Sequence, residues 1–164
     1  MNVRPQAPEP SHQEMPRIEE LIPHKPPMIL LDDVLSHADD ATVCRVRIGP
    51  TSPFVRSDGA VPSWVALEYM AQCTAAHAGL RARDGGRPVR PGFLLGSRKV
   101  VLHEARFRAG QELAVSAREA WTDGELASFE CSVSDRASGA MLVECALVAY
   151  SPRRIEDVLE RQHP

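Results

Sequence analysis

The sequence predicts an α+β domain in which a curved antiparallel β-sheet wraps round one long buried helix. Three observations predict it. A single long helical stretch, about Pro62 to Arg83, is apolar on nearly every side between Trp64 and Ala76. The segments before and after it alternate polar and apolar residues, as half-buried strands do. Turn signals separate the later segments, so neighbours in sequence can pair antiparallel. A helix that is apolar all round must be covered on most sides, and a curved sheet is the simplest cover for one such helix.

The elements follow in order. The 164 residues suit one domain, 17–151, flanked by a proline-rich N-terminal tail (1–16) expected to be disordered and a C-terminal tail (152–164). Met15 to Ile22 reads as a short helix stopped before Pro23. Met28-Ile29-Leu30-Leu31 reads as a short buried strand with Asp32 and Asp33 at its exit. From Thr42 to Ile48, Cys44, Val46 and Ile48 face one way and Val43, Arg45 and Arg47 the other. Residues 49–62 hold Gly49, Pro50, Pro53, Asp58, Gly59 and Pro62, which makes them a loop. Pro62 suits the first turn of the helix, and Asp84-Gly85-Gly86-Arg87-Pro88 ends it. Four strand regions come next: Phe93 to Leu102, Leu113 to Trp121, the alternation of Phe129, Cys131 and Val133, and Met141 to Tyr150. Asp123-Gly124 and Ala137-Ser138-Gly139 read as hairpin turns between the last three. After Pro152 a short amphipathic helix could use Ile155, Val158 and Leu159.

Composition removes several classes of function. The net charge of -3 comes from 19 basic and 22 acidic residues spread evenly, with no basic block for nucleic acid. Nothing approaches the roughly 18 consecutive apolar residues of a membrane span. The N-terminus lacks a signal-peptide pattern, so the cytoplasm is the expected compartment. Cys44, Cys73, Cys131 and Cys145 each lie in an apolar run, with no metal-ligand spacing. They read as buried free thiols.

Two polar side chains interrupt the apolar helix, Glu68 and Gln72, and their spacing puts them on one face. An unpaired carboxylate inside an apolar helix costs several kcal/mol unless protonated or hydrogen-bonded, so a chain that keeps one there usually uses it. A buried carboxyl favours its protonated form and so suits a general acid. The bland alternative pairs Glu68 with Arg98 or Arg106. Gln72 reads as its helper, with a structural hydrogen-bonding role the stronger reading. His77 falls on the opposite helix face, and His103 reads as an exposed strand residue.

The segment Val61-Pro62-Ser63-Trp64-Val65-Ala66-Leu67-Glu68-Tyr69-Met70-Ala71-Gln72 resembles the helix MPGxLxxEAMAQ of the 3-hydroxyacyl-(acyl carrier protein) dehydratases. Upstream, Leu21-Ile22-Pro23-His24-Lys25-Pro26-Pro27-Met28-Ile29-Leu30-Leu31-Asp32 is similar to that family's LPHRYPFLLVDR. Downstream, Gly92 to Lys99, Phe107 and Gly110-Gln111-Glu112-Leu113 follow in the family's order, so the likeness spans roughly residues 18–150. It is closer still to the dehydratase-like proteins of aryl-polyene biosynthesis, through LPHxPPMxLLD, DGxVPxWVxLEYMAQ and GFLLGxR. The resemblance implies the hot-dog fold and dehydration of a 3-hydroxyacyl chain on an acyl carrier protein. It implies no metal or organic cofactor, and pairing into a homodimer or a heterodimer with another hot-dog dehydratase. It gives Glu68 the catalytic role of the helix glutamate. It makes Gln72, Pro62, Gly92, Phe93, Leu94 and Leu95 the substrate-lining set.

One departure from that pattern matters. The family's histidine, in a GHFPG loop before the helix, has no counterpart in Pro53-Phe54-Val55-Arg56-Ser57-Asp58-Gly59-Ala60-Val61-Pro62. The usual base for the α-proton is therefore missing. Asp58 and His24 are the candidates to replace it, although an aspartate before glycine is more often a turn former. Two further readings stay open: a catalytically impaired subunit that pairs with an active dehydratase, and a hot-dog thioesterase using the helix carboxylate.

Overall fold

The computed structural model describes residues 15–154. Helix α1 (Ile18–Leu21) leads to β1 (Asp33–His37) and β2 (Ala41–Arg47); β3 (Ala60–Pro62) and a single 3-10 turn (Ser63–Val65) lead to the long helix α2 (Ala66–Asp84). Five strands follow: β4 (Phe93–Leu102), β5 (Arg106–Arg108), β6 (Glu112–Thr122), β7 (Leu126–Asp135) and β8 (Met141–Tyr150). Six of the strands form one antiparallel sheet in the order β1-β2-β6-β7-β8-β4, and β3 pairs with β5 in a small second sheet.

The alternating strands send one row of side chains to the helix. β2 buries Thr42, Cys44 and Val46; β6 buries Leu113, Val115 and Ala117; β7 buries Phe129, Cys131 and Val133; β8 adds Val143, Cys145 and Leu147. From α2 they meet Ala66, Tyr69, Met70, Cys73, Ala76, His77 and Leu80, a stripe at helical spacing. Each large apolar side chain buried here stabilises the fold by about 1.5–3 kcal/mol relative to exposure. All four cysteines are buried free thiols, as expected. Helix α1 crosses α2 closely at Gly79, where a Cβ would lie 2.3 Å from the Leu21 carbonyl oxygen. Only glycine permits that approach.

The β6–β7 hairpin shows why its turn was legible. Asp123 Oδ1 accepts the N–H groups of Glu125 (2.9 Å) and Leu126 (2.7 Å), and Gly124 takes φ +95°. Those donors hold the Asp123 carboxyl below the usual carboxylate range.

Three expectations need correction. Met28 to Leu31 is not a strand, although Leu30 and Leu31 are buried. Its backbone is bound by a side chain instead: Gln72 accepts the Leu30 N–H and donates to the Met28 carbonyl. The loop 49–62 ends in β3, whose partner β5 was also not anticipated; both are three residues long, too short to show periodicity. The α-helix begins at Ala66, after the 3-10 turn, and Pro62 belongs to β3. The expected arrangement of sheet and helix holds: the six-stranded sheet packs against the one long helix, and the far face of α2 carries the partly exposed Ala71 and Ala75. Residues 1–14 of the tail 1–16 that was expected to be disordered, and the expected helix around Ile155, Val158 and Leu159, lie outside the described residues.

Candidate active site

The uncovered side of α2 forms one wall of an open cleft of about 670 Å³. Ala71, Thr74, Ala75 and Ala78 line that wall, Gly92, Phe93 and Leu94 of the β4 region line the other, and Phe129 contributes from β7. The cleft reaches from Glu68, in the first turn of α2, to Arg81 and Ala82 in its last turns. At 1.5 Å per residue that is roughly 20 Å, room for an extended thioester arm. The small residues recur at helical spacing, a stripe that the sequence displayed but that reads there as ordinary core. Arg87, Arg90 and Arg153 stand at the far end with Glu119 and Glu125.

Glu68 and His24 both line the cleft, and His24 Nε2 lies 3.4 Å from Glu68 Oε1. The expected burial of Glu68 is not seen: its side chain is 37% exposed. Nor does it pair with an arginine, since Arg106 binds Asp58 instead. Its Oε1 accepts a hydrogen bond from Gln72 Nε2 at 2.8 Å. His24 Nδ1 is buried without a partner. An N–H there would go unsatisfied, at a cost of about 1–3 kcal/mol, so the neutral ring carries its hydrogen on Nε2, facing Glu68. Glu68 Oε2 has no hydrogen-bond partner among the described residues.

The other candidates separate. Gly92, Phe93 and Leu94 are in the cleft. Leu95 lies at a bulge of β4, between the paired Leu94 and Gly96, is 58% exposed, and does not line it. Gln72 is fully buried behind Glu68 and not in the cleft, in line with a structural role. Asp58 and Pro62 lie in a separate depression of about 70 Å³ with Arg56 and Arg106. There Asp58 Oδ1 accepts the Ala60 N–H at 3.1 Å, as a turn former does, and Oδ2 accepts from Arg106 Nη1 at 2.6 Å. The chain thus brings His24, not Asp58, to Glu68.

His77 illustrates a different fate. It is 1% exposed, and its Nδ1 is 2.9 Å from Thr42 Oγ1, which also binds His37 at 2.7 Å. Burial, then the nearby His37 and Arg81, push it down to about 4, against a smaller opposing effect of Asp40. His103 is exposed and paired with Glu144 at 2.7 Å on the sheet edge. Among the described residues no group of three or more His, Cys, Asp or Glu is placed to hold a metal ion, and no helix is long and apolar enough to cross a membrane.

Residues 16–160 match the family model for ApeP-like proteins, described as ApeP dehydratase. The fold is similar to a chain of the dehydratase heterocomplex ApeI:P from Xenorhabdus doucetiae, with 28% identity, a TM-score of 0.85, and coverage of 92% of this chain and 100% of that one. More distant likenesses show the hot-dog fold alone. A hypothetical thioesterase with coenzyme A from Streptococcus pneumoniae TIGR4 has 9% identity and a TM-score of 0.59, over 73% of this chain and 84% of that one. The PaaI protein of E. coli has 7% identity and a TM-score of 0.58, over 72% and 81%. No curated protein matches by sequence.

Proposed function

The chain belongs to the ApeP-like dehydratase family, and we propose that it removes water from a 3-hydroxyacyl thioester carried on an acyl carrier protein. The product is the trans-2-enoyl thioester, in a cytoplasmic pathway of the aryl-polyene type that the sequence resemblance implies. The observation that carries this reading is the state of Glu68: one oxygen tied by Gln72 and facing His24, the other without a partner among the described residues, in a cleft long enough for the arm.

The chemistry follows from that asymmetry. Glu68 Oε2, ionised, takes the α-proton, and the C–H electron pair moves into the thioester carbonyl as an enolate. The enolate then re-forms the carbonyl, makes the α,β double bond and expels the 3-hydroxyl. That hydroxyl takes the same proton from Glu68 and leaves as water, so the carboxylate is restored. Glu68 is thus the expected acid and also supplies the missing base, while Gln72 Nε2–H donates to Oε1 and keeps the carboxylate oriented, with His24 Nε2 3.4 Å from the same oxygen. The amino end of α2, where Glu68 sits, offers the positive end of the helix dipole to the enolate oxygen.

A paired state is supported by a separate observation. Strand β4 is one edge of the six-stranded sheet, and Phe93, Leu94, Leu95, Val100, Val101 and Leu102 are all at least 40% exposed on it. A long apolar edge is a template for pairing. The similar dehydratase ApeI:P is a heterocomplex, so a second hot-dog subunit is the proposed occupant.

The test incubates the chain with a 3-hydroxyacyl-carrier protein, alone and co-expressed with a histidine-bearing hot-dog dehydratase, and follows the acyl mass. Loss of one water that Glu68→Gln abolishes supports the proposal. Release of free carrier thiol identifies a thioesterase instead. Dehydration by the pair alone, untouched by Glu68→Gln, leaves this chain a non-catalytic partner.

A further inference from the structure

Gln72 is fully buried and yet makes three hydrogen bonds to two different parts of the chain. Its Oε1 accepts the Leu30 N–H at 2.9 Å. Its Nε2 donates to the Met28 carbonyl at 2.7 Å and to Glu68 Oε1 at 2.8 Å. The Leu30 N–H fixes which end of the amide is which. The flipped amide would set NH2 against an N–H and its oxygen against a carbonyl and a carboxylate. Residues 28–31 form no strand, so this amide replaces the ladder that would otherwise hold the segment following His24.

We propose that Gln72 is the positioning residue of the site, joining the segment that carries His24 to the helix that carries Glu68 and deciding which Glu68 oxygen faces the substrate. This rests on the reading of Glu68 above. By occupying Oε1, Gln72 turns Oε2 to the cleft. By clamping Met28 and Leu30, it sets the reach of His24. No substrate contact is required of it.

The substitution Gln72→Met keeps the volume and removes both the donors and the acceptor. A thioether at this position leaves the Leu30 N–H and the Met28 carbonyl unpaired and frees Glu68 Oε1. The expected result is a fall in kcat of about tenfold to a hundredfold with KM little changed, as for a reacting group displaced by an ångström or less. A residue that only packs would lower stability and leave the kcat of the folded variant unchanged. A second readout needs no activity: in the native chain both side-chain NH2 protons of Gln72 are slow to exchange and shifted by Glu68→Gln, and this decides even should the variant not fold. A folded variant with unchanged kcat, or a Gln72 amide that exchanges freely, overturns the proposal. If the native chain yields no enoyl product while the Gln72 NH2 protons are slow and shifted as stated, the clamp stands and the dehydratase reading falls.

Discussion

The two faces of α2 carry the same kind of sequence and do opposite things. The face toward the sheet presents Met70, Cys73, His77 and Leu80, and every one is less than 5% exposed. The face toward the cleft presents Glu68 and then Ala71, Ala75 and Ala78, small residues that leave space where the others fill it. Beside each face lies a histidine close to a polar partner. On the sheet side, His77 is buried against Thr42 and kept neutral by burial. On the cleft side, His24 faces a carboxylate whose second oxygen is open. Hydrophobicity alone does not tell the faces apart; side-chain volume does.

If that division is right, damage on each face should have its own signature. Glu68→Gln is expected to reduce dehydration by about 10²–10⁴-fold with little change in the urea midpoint, measured by acyl mass and by denaturation on the same preparation. A variant that loses both together would break the comparison. Met70→Ala, on the other face, is expected to cost about 2–5 kcal/mol through a cavity in the core. The fraction still folded should turn over substrate at the native kcat. Gly79→Ala belongs to the same class. Its Cβ would meet the Leu21 carbonyl at 2.3 Å, and forcing α1 away should cost about 1–3 kcal/mol.

These contrasts also explain what could be read from residues alone. The curved sheet, the long helix and both hairpin turns were legible because period-2 and period-3.6 patterns and Asp-Gly or Ser-Gly breaks act locally. Glu68 was legible because a carboxylate in an apolar run has no cheap explanation. The pairing of His24 with Glu68 was only one option among several, since it depends on a chain path of 44 residues closed by Gln72. The Met28–Leu31 strand was misread for the same reason: an apolar run says that residues are buried, not what binds their backbone. Asp58 looked equally eligible until Arg106, 48 residues away, took its carboxylate.

The neutral His77 gives the sheet-side face of α2 a pH signature of its own. Its ordinary value of 6.5 falls to about 4 in the fold. Because the folded value is the lower one, protonation favours the unfolded chain. The stability is fully present above pH 6.5 and is lost as pH falls toward 4. The loss attributable to this ring is about 2–3 kcal/mol. Urea unfolding of the native chain and of His77→Gln should diverge between pH 7 and pH 4.5, with the variant showing the shallower decline. Parallel curves would remove His77 as the buried titrating group and blur the distinction between the faces.

The smallest effect tests the idea that volume is what separates them. Ala75 is partly buried on the cleft wall, and leucine there adds three carbons into open space rather than into packed core. Overpacking a filled site costs about 1–3 kcal/mol of stability; here stability should stay within about 0.5 kcal/mol. The added side chain should instead narrow the path of the acyl chain and raise KM by about tenfold, the equivalent of about 1.4 kcal/mol, with longer acyl chains affected more than short ones. Steady-state kinetics across a series of chain lengths would measure it. Equal losses at every length would mean that the cleft wall is not the surface that meets the acyl chain, and a drop in stability without a change in KM would mean that this face of the helix is core after all.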